Sequence, residues 1–267
     1  MASYLSPKLD VVVKMIFERN VALLGDFLLS VLDISEKDIE KITVLNPSAS
    51  LDYPEEKKSI MDIKVELKNG RRVNVELQVR KVPEMIQRLH YYKARMVTEQ
   101  LSSGNPYGNI VPTSCVALLD YTMYEDQFCH HTFRYYDKKH DVEFSAYEEI
   151  NIVEIPKLKQ ETSNHALRCW LEFFNATEQE EFDMLSNQSE VMKNVVGVLA
   201  NLSADEKARM IADAREKELR DQMSRERGAR EEGKLEVARN LFKMGFPIID
   251  IAKATELPVS TIETLLQ

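Results

Sequence analysis

Apolar and polar residues alternate most cleanly over positions 61–79. Met61, Ile63, Val65 and Leu67 are followed, after a polar break, by Val73, Val75, Leu77 and Val79. A period of two belongs to a strand with unlike faces, so residues 60–67 and 72–79 are predicted to form two strands of a hairpin. On either side the period lengthens. Residues 10–32 read as one or two amphipathic helices. Residues 83–102 set Met85, Ile86, Leu89, Tyr92, Met96 and Val97 at helical spacing, with Pro83 suited to a first turn. Gly104-Asn105-Pro106 stops that helix. Residues 42–45, 128–136 and 150–155 read as strands, and the apolar run 114–119 as a strand covered on both faces. The order α-β-β-β-α-β predicts an α/β fold, a mixed central sheet flanked by helices.

From residue 164 onward the pattern is helical. Trp170, Phe173 and Phe174 share a helical face and are predicted as core. Ser203-Ala204-Asp205-Glu206 has the spacing of a capping box and predicts a helix start there. Between residues 203 and 239, ten acidic and ten basic side chains crowd 37 positions, which suits a solvated spacer helix or coiled-coil arm. Residues 235–267 predict helix, turn, helix, with a second capping box from Ser260 to Glu263. That last helix is short and lacks Arg and Lys, and Glu256 stands where a turn glycine is usual. Packing or self-association therefore suits it better than reading DNA. The expected division is an α/β domain over 1–160 and a helical C-terminal region over 161–267.

Composition changes the picture in three ways. The chain has 267 residues, 44% hydrophobic and 30% charged, with 8 Gly and 9 Pro, which allows a sizeable core and excludes a mainly disordered polymer. The longest nearly apolar run, 21–32, falls short of the roughly 20 residues needed to span a bilayer, and the first residues carry no basic-then-apolar leader. Three cysteines at 115, 129 and 169, without a CxxC pair, fit a reducing cytoplasm better than a disulfide framework. A net charge of −9 counts against a generic nucleic-acid coat. It leaves room for an enzyme with a carboxylate cluster and only a local basic rim. His130 and His131 do not change this, because adjacent strand residues point to opposite faces and converge poorly on one ion.

The hairpin pattern also fixes its register. A two-residue Asn69-Gly70 turn would set Met61 against Gln78 and Asp62 against Leu77, making each buried face half polar. A three-residue loop, Lys68-Asn69-Gly70 with a left-handed glycine, pairs Leu67 with Arg71 instead. Val65 then faces Val73, Ile63 faces Val75, and Asp62 lies across from Glu76 with Cβ atoms about 5 Å apart. Like charges so placed destabilise a sheet, whereas a hard cation would reverse the sign. The competing reading is a solvated polar face on which charges coincide.

Asp62 followed by Glu76-Leu77-Gln78 on the next strand resembles the PD-(D/E)XK nuclease signature, with Gln in place of Lys. More closely, the chain resembles the recombination-promoting nuclease and transposase-like group of that superfamily. The stretches that carry the resemblance are 9–17 (LDVVVKMIF), 61–63 (MDI), 74–78 (NVELQ), 88–92 (RLHYY), 100–107 (QLSSGNPY) and 152–157 (IVEIPK). Val13 departs from the aromatic commoner before the first Lys, and Pro54 is not followed by Asp.

The resemblance implies a restriction-endonuclease-like fold and a metal-dependent DNA endonuclease. Asp62, Glu76 and the Leu77 carbonyl would hold a divalent ion, Mg²⁺ or else Mn²⁺ or Ca²⁺. Gln78 would orient a water or phosphate oxygen, and Asp10 with Lys14, four apart on the first helix, would complete the catalytic set. Arg88 and Tyr92, also four apart, offer a phosphate clamp. Arg71, Arg72, Arg80 and Lys81 flank the hairpin and offer a basic rim. DNA is the implied partner, and the helical C-terminal region a means of homo-oligomerisation. The alternative is a catalytically silent DNA-binding or self-assembling protein that keeps the fold.

Overall fold

The computed structural model describes residues 3–45, 62–159 and 164–265. Met61 and Pro54 lie outside them. Among the described residues, one mixed sheet contains β1 (Ile42–Val44), β2 (Asp62–Leu67), β3 (Arg72–Gln78), β4 (Thr113–Leu119), β5 (His130–Asp137) and β6 (Val142–Glu154). Their spatial order is β1-β2-β3-β4-β6-β5. β3, β4 and β6 run parallel, and the pairs β1–β2, β2–β3 and β5–β6 are antiparallel. A parallel neighbour needs a crossover connection, and α4 (Met85–Thr98) lies in the connection from β3 to β4.

Both faces of the sheet are covered. Met85, Leu89 and Met96 of α4 pack with Cys115, Ala117, Leu119, Ile150 and Ile152. Val116 and Leu118 alternate with those residues and so point the other way. All seven positions of β4 are buried, as its unbroken apolar run predicts. Further core comes from α1 (Asp10–Arg19), α2 (Val21–Val31), α5 (His165–Asn175) and α7 (Glu190–Ala204). There Trp170 is fully buried, with ring centroids 5.7 Å from Phe17, 5.6 Å from Phe27 and 5.9 Å from Phe174. The stretch 10–32, expected as one or two helices, is two, divided at Asn20 with φ −143.

Two compact units divide the chain, Met1–Ala212 and Asp213–Gln267. The first also contains the short α3 (Glu36–Ile39), capped by Ser35, and α6 (Gln179–Ser186). The long α8 (Glu206–Lys243) begins in the first unit and ends in the second. In the second, α8, α9 (Ile248–Thr255) and α10 (Val259–Leu265) share a small core of Ala238, Ile251 and Ile262. No helix among the described residues is long and apolar enough to cross a membrane.

Local expectations need three corrections. Ser203 is not the cap of α8. It lies in the last turn of α7, donating to the Leu199 carbonyl at 2.7 Å and accepting from the Leu5 N–H at 2.9 Å. Asp205 takes the capping role by accepting from the Ala208 N–H at 3.2 Å. Ser260 likewise lies inside α10, which starts directly after Pro258. β6 begins at Val142, eight residues earlier than expected, because a polar stretch pairs with β5 although little of it is buried.

Candidate active site

The hairpin adopts the register that its apolar face demands. Asp62 pairs with Glu76, Ile63 with Val75, Lys64 with Asn74 and Val65 with Val73. The Leu67 N–H donates to the Arg71 carbonyl at 2.9 Å, and Gly70 has φ +84. Asn69 finishes the loop: its Oδ1 accepts from the Arg71 N–H, and its Nδ2 donates to Asp38, both at 2.9 Å.

The polar side of β3 is not solvated. Asn74 and Glu76 are each 1% exposed. Their parallel partners, Cys115 and Ala117, belong to the core under α4, so Glu76 faces that helix. A carboxylate this deep is costly unless a positive group meets it. Arg88, on the first turns of α4, donates to Glu76 Oε1 through Nη2, and its guanidinium carbon lies 5.6 Å from the centre of the Tyr92 ring.

Other polar atoms around this pair are buried. Both amide atoms of Asn74 and Nε of Arg88 make no hydrogen bond among the described residues, and the Tyr121 hydroxyl makes none of good geometry, although the Val82 backbone lies near it. Tyr121 lies two residues beyond β4 and packs with Val82 onto the α4 core. Burial, and then the negative charge of Glu76, push its hydroxyl up to about 12; Glu154 adds to this, while Arg88 and the Val82 backbone oppose it. Sequence reasoning missed Tyr121. It stands in a connecting segment with no periodicity to mark it.

The remaining candidates are distributed as follows. Gln78 ends β3 half-buried, and its carbonyl accepts from the Asp120 N–H at 3.1 Å. Asp120 in turn pairs with Lys8 at 2.8 Å, tying the approach to α1 to the end of β3. Asp10 is buried in the first turn of α1, a helix that packs against β3, and Lys14 lies 3.9 Å from Glu18. Leu77 is buried beside Leu118. Arg72 pairs across the hairpin with Glu66 at 3.2 Å. Arg71 turns away from the Glu76 side: its Nη1 reaches Glu149 at 2.9 Å and Ser114 at 3.1 Å. Arg80 is half-buried and Lys81 exposed.

A second cluster lies at the end of β6. Ligand atoms of Asp126, His131 and Glu154 approach within 4.8 Å of one another. The Lys157 ammonium sits among them, 3.0 Å from Asp126 and 2.8 Å from Glu154. Glu154 also accepts from the Met123 and Tyr124 N–H groups, at 2.5 and 3.2 Å. A lysine already supplies the positive charge there. His130 points elsewhere, to Asn151 at 3.0 Å, as alternation requires.

On the hairpin, the chain positions of Asp62 and Glu76 are opposed in register. A mixed sheet between helices, with carboxylates opposed on its central hairpin, defines the restriction-endonuclease-like α/β class. The model for the PD-(D/E)XK nuclease family transposase matches residues 7–229, and the chain belongs to that family. No curated protein and no solved structure matches it. Nucleases of this superfamily generally use divalent metals.

Proposed function

We propose that the protein is a metal-dependent DNA endonuclease that hydrolyses phosphodiester bonds in a recombination or transposase-like reaction. One observation carries the reading: Asp62 and Glu76 are opposed in register, and Glu76 is buried against Arg88. Packing alone would not retain such a carboxylate. Asp62, Glu76 and the Leu77 carbonyl would hold the ion, Mg²⁺ or else Mn²⁺ or Ca²⁺. When bound, the ion polarises the phosphoryl group, acidifies water and stabilises the leaving oxygen. Gln78 presents a neutral amide that orients a water or phosphate oxygen. Arg88, backed by Tyr92, exchanges Glu76 for a substrate phosphate, and Arg72 contributes at the rim. Asp10 and Lys14 complete the site from α1.

The exposed Phe242, Met244, Phe246 and Ile249 of the second unit support self-association through the C-terminal region. Three buried cysteines, none in a disulfide among the described residues, suit a reducing cytoplasm. The silent DNA-binding alternative draws on Gln78, which brings no positive charge where a lysine is commoner. Nicking of supercoiled plasmid with Mg²⁺, Mn²⁺ or Ca²⁺ separates the two. Wild type should cut and Asp62→Ala should not; a wild type that binds DNA without cutting it establishes the alternative.

A further inference from the structure

Buried polar atoms without partners are rare in folded proteins, and each one calls for a reason. Here several atoms that find no well-formed hydrogen bond among the described residues gather on the α4 side of the sheet: the Asn74 amide, Nε of Arg88, which pairs through Nη2 with Glu76, and the Tyr121 hydroxyl. Leaving a buried group unsatisfied is costly, and several beside one carboxylate mark a place that is complete only when small polar ligands fill it. Tyr121 is informative because the rest of its side chain is already accounted for. Its ring packs on the apolar core under α4, which includes Met85, Leu89 and Leu119, while the hydroxyl lies within the electrostatic reach of Glu76, Arg88 and Glu154. The Asp120 N–H bond to the Gln78 carbonyl anchors the residue before it to the end of β3.

We infer that Tyr121 is a positioning residue of the candidate metal site. Its hydroxyl hydrogen-bonds an oxygen, from water or phosphate, in the shell of the ion held by Glu76. The inference rests on the nuclease reading above and adds a residue which that reading does not contain. Mg²⁺ dehydrates reluctantly and keeps several waters, so a site with one or two protein carboxylates needs outer groups to orient them. A phenol does so without adding a competing charge.

Tyr121→Phe removes one oxygen and leaves the ring in place. The test measures calorimetric Mg²⁺ and Mn²⁺ affinity, first without DNA and then with an uncleavable phosphorothioate duplex, alongside the melting temperature of the metal-free protein. Affinity should fall about tenfold, as for loss of an outer group at a metal site, while the metal-free melting temperature is unchanged or raised. A fall seen without DNA assigns the oxygen to water, and a fall seen only with DNA assigns it to phosphate. Wild-type affinity in Tyr121→Phe under both conditions overturns the inference and leaves the nuclease reading standing. So does a lower metal-free melting temperature with unchanged affinity, which would make the hydroxyl merely structural. A wild type that binds neither ion overturns both readings.

Discussion

Arg88 and Glu76 form an ion pair in which the acid is almost wholly enclosed and the base is not. Their side chains are 34% and 1% exposed respectively. The carboxylate stays where the hairpin puts it, whereas the guanidinium, resting on Tyr92, has solvent on one side. On the proposed reading, a divalent ion approaching Glu76 would meet a cation already in place, and the more exposed Arg88 would be the partner to move.

Arg88→Gln should consequently have opposite effects on folding and on metal binding. Without metal, stability should fall by about 3 kcal/mol, the low end for breaking a buried pair, because Arg88 is one-third exposed. Mg²⁺ should then raise the melting temperature by more than it raises that of wild type, since the guanidinium no longer competes for Glu76. Plasmid cleavage should drop. Thermal melts with and without metal decide the matter: an equal metal-induced rise in both proteins means that Arg88 and the ion do not compete.

Gln78 offers an amide at the half-buried end of β3. Gln78→Ala should slow single-turnover cleavage on the order of 10²-fold, comparable to removing one positioned donor, while calorimetric metal binding is retained. Glu76→Ala should lose both. Gln78→Lys, which restores the commoner residue of the superfamily, should keep or raise activity. Cleavage by Gln78→Ala at the wild-type rate would reduce Gln78 to a strand residue with no chemical part.

Gly70 has φ +84, and a Cβ there would meet Val111 Cγ1 at 3.4 Å, an ordinary contact. The strain of Gly70→Val is thus in the backbone, not in crowding. A left-handed β-branched residue should cost about 1–2 kcal/mol. Urea unfolding should show this as a lower midpoint with the same slope. A variant as stable as wild type would mean that the loop can change type without moving Asp62 from Glu76.

Asp126 is the clearest source of pH dependence. The Lys157 ammonium, 3.0 Å away, is the main cause of a carboxyl lowered to about 2, and the Phe128 N–H and His131 act in the same direction. The folded value lies below the ordinary one of about 4. The contribution is therefore present above pH 4 and is lost as pH falls from about 4 to about 2. Asp126→Asn should be less stable than wild type at neutral pH, and the two should converge towards pH 2. A stability gap that stays constant across this range would show that the ion pair is not its source.

Alternation along 61–79 is sufficient by itself to set Asp62 against Glu76. In a hairpin a one-residue slip turns every side chain over, so the apolar face admits one register only. Helix spacing likewise locates α4 and the Trp170 core, because a period of 3.6 residues is a property of the chain itself. Burial of the polar face is not determined in this way. Glu76 is enclosed because α4 returns over β3, and alternation cannot distinguish a polar face under a helix from one in water. The exact helix starts follow three-dimensional partners too, with Ser203 drawn to the Leu5 N–H and Asp205 left to cap. Arg71 sits beside Arg72 in sequence, yet it turns to Glu149, 78 residues away, because neighbours on a strand face opposite sides. Tyr121 has no local pattern at all. What surrounds it is set by strands that become neighbours only when the parallel crossovers close, and that is a matter of tertiary structure alone.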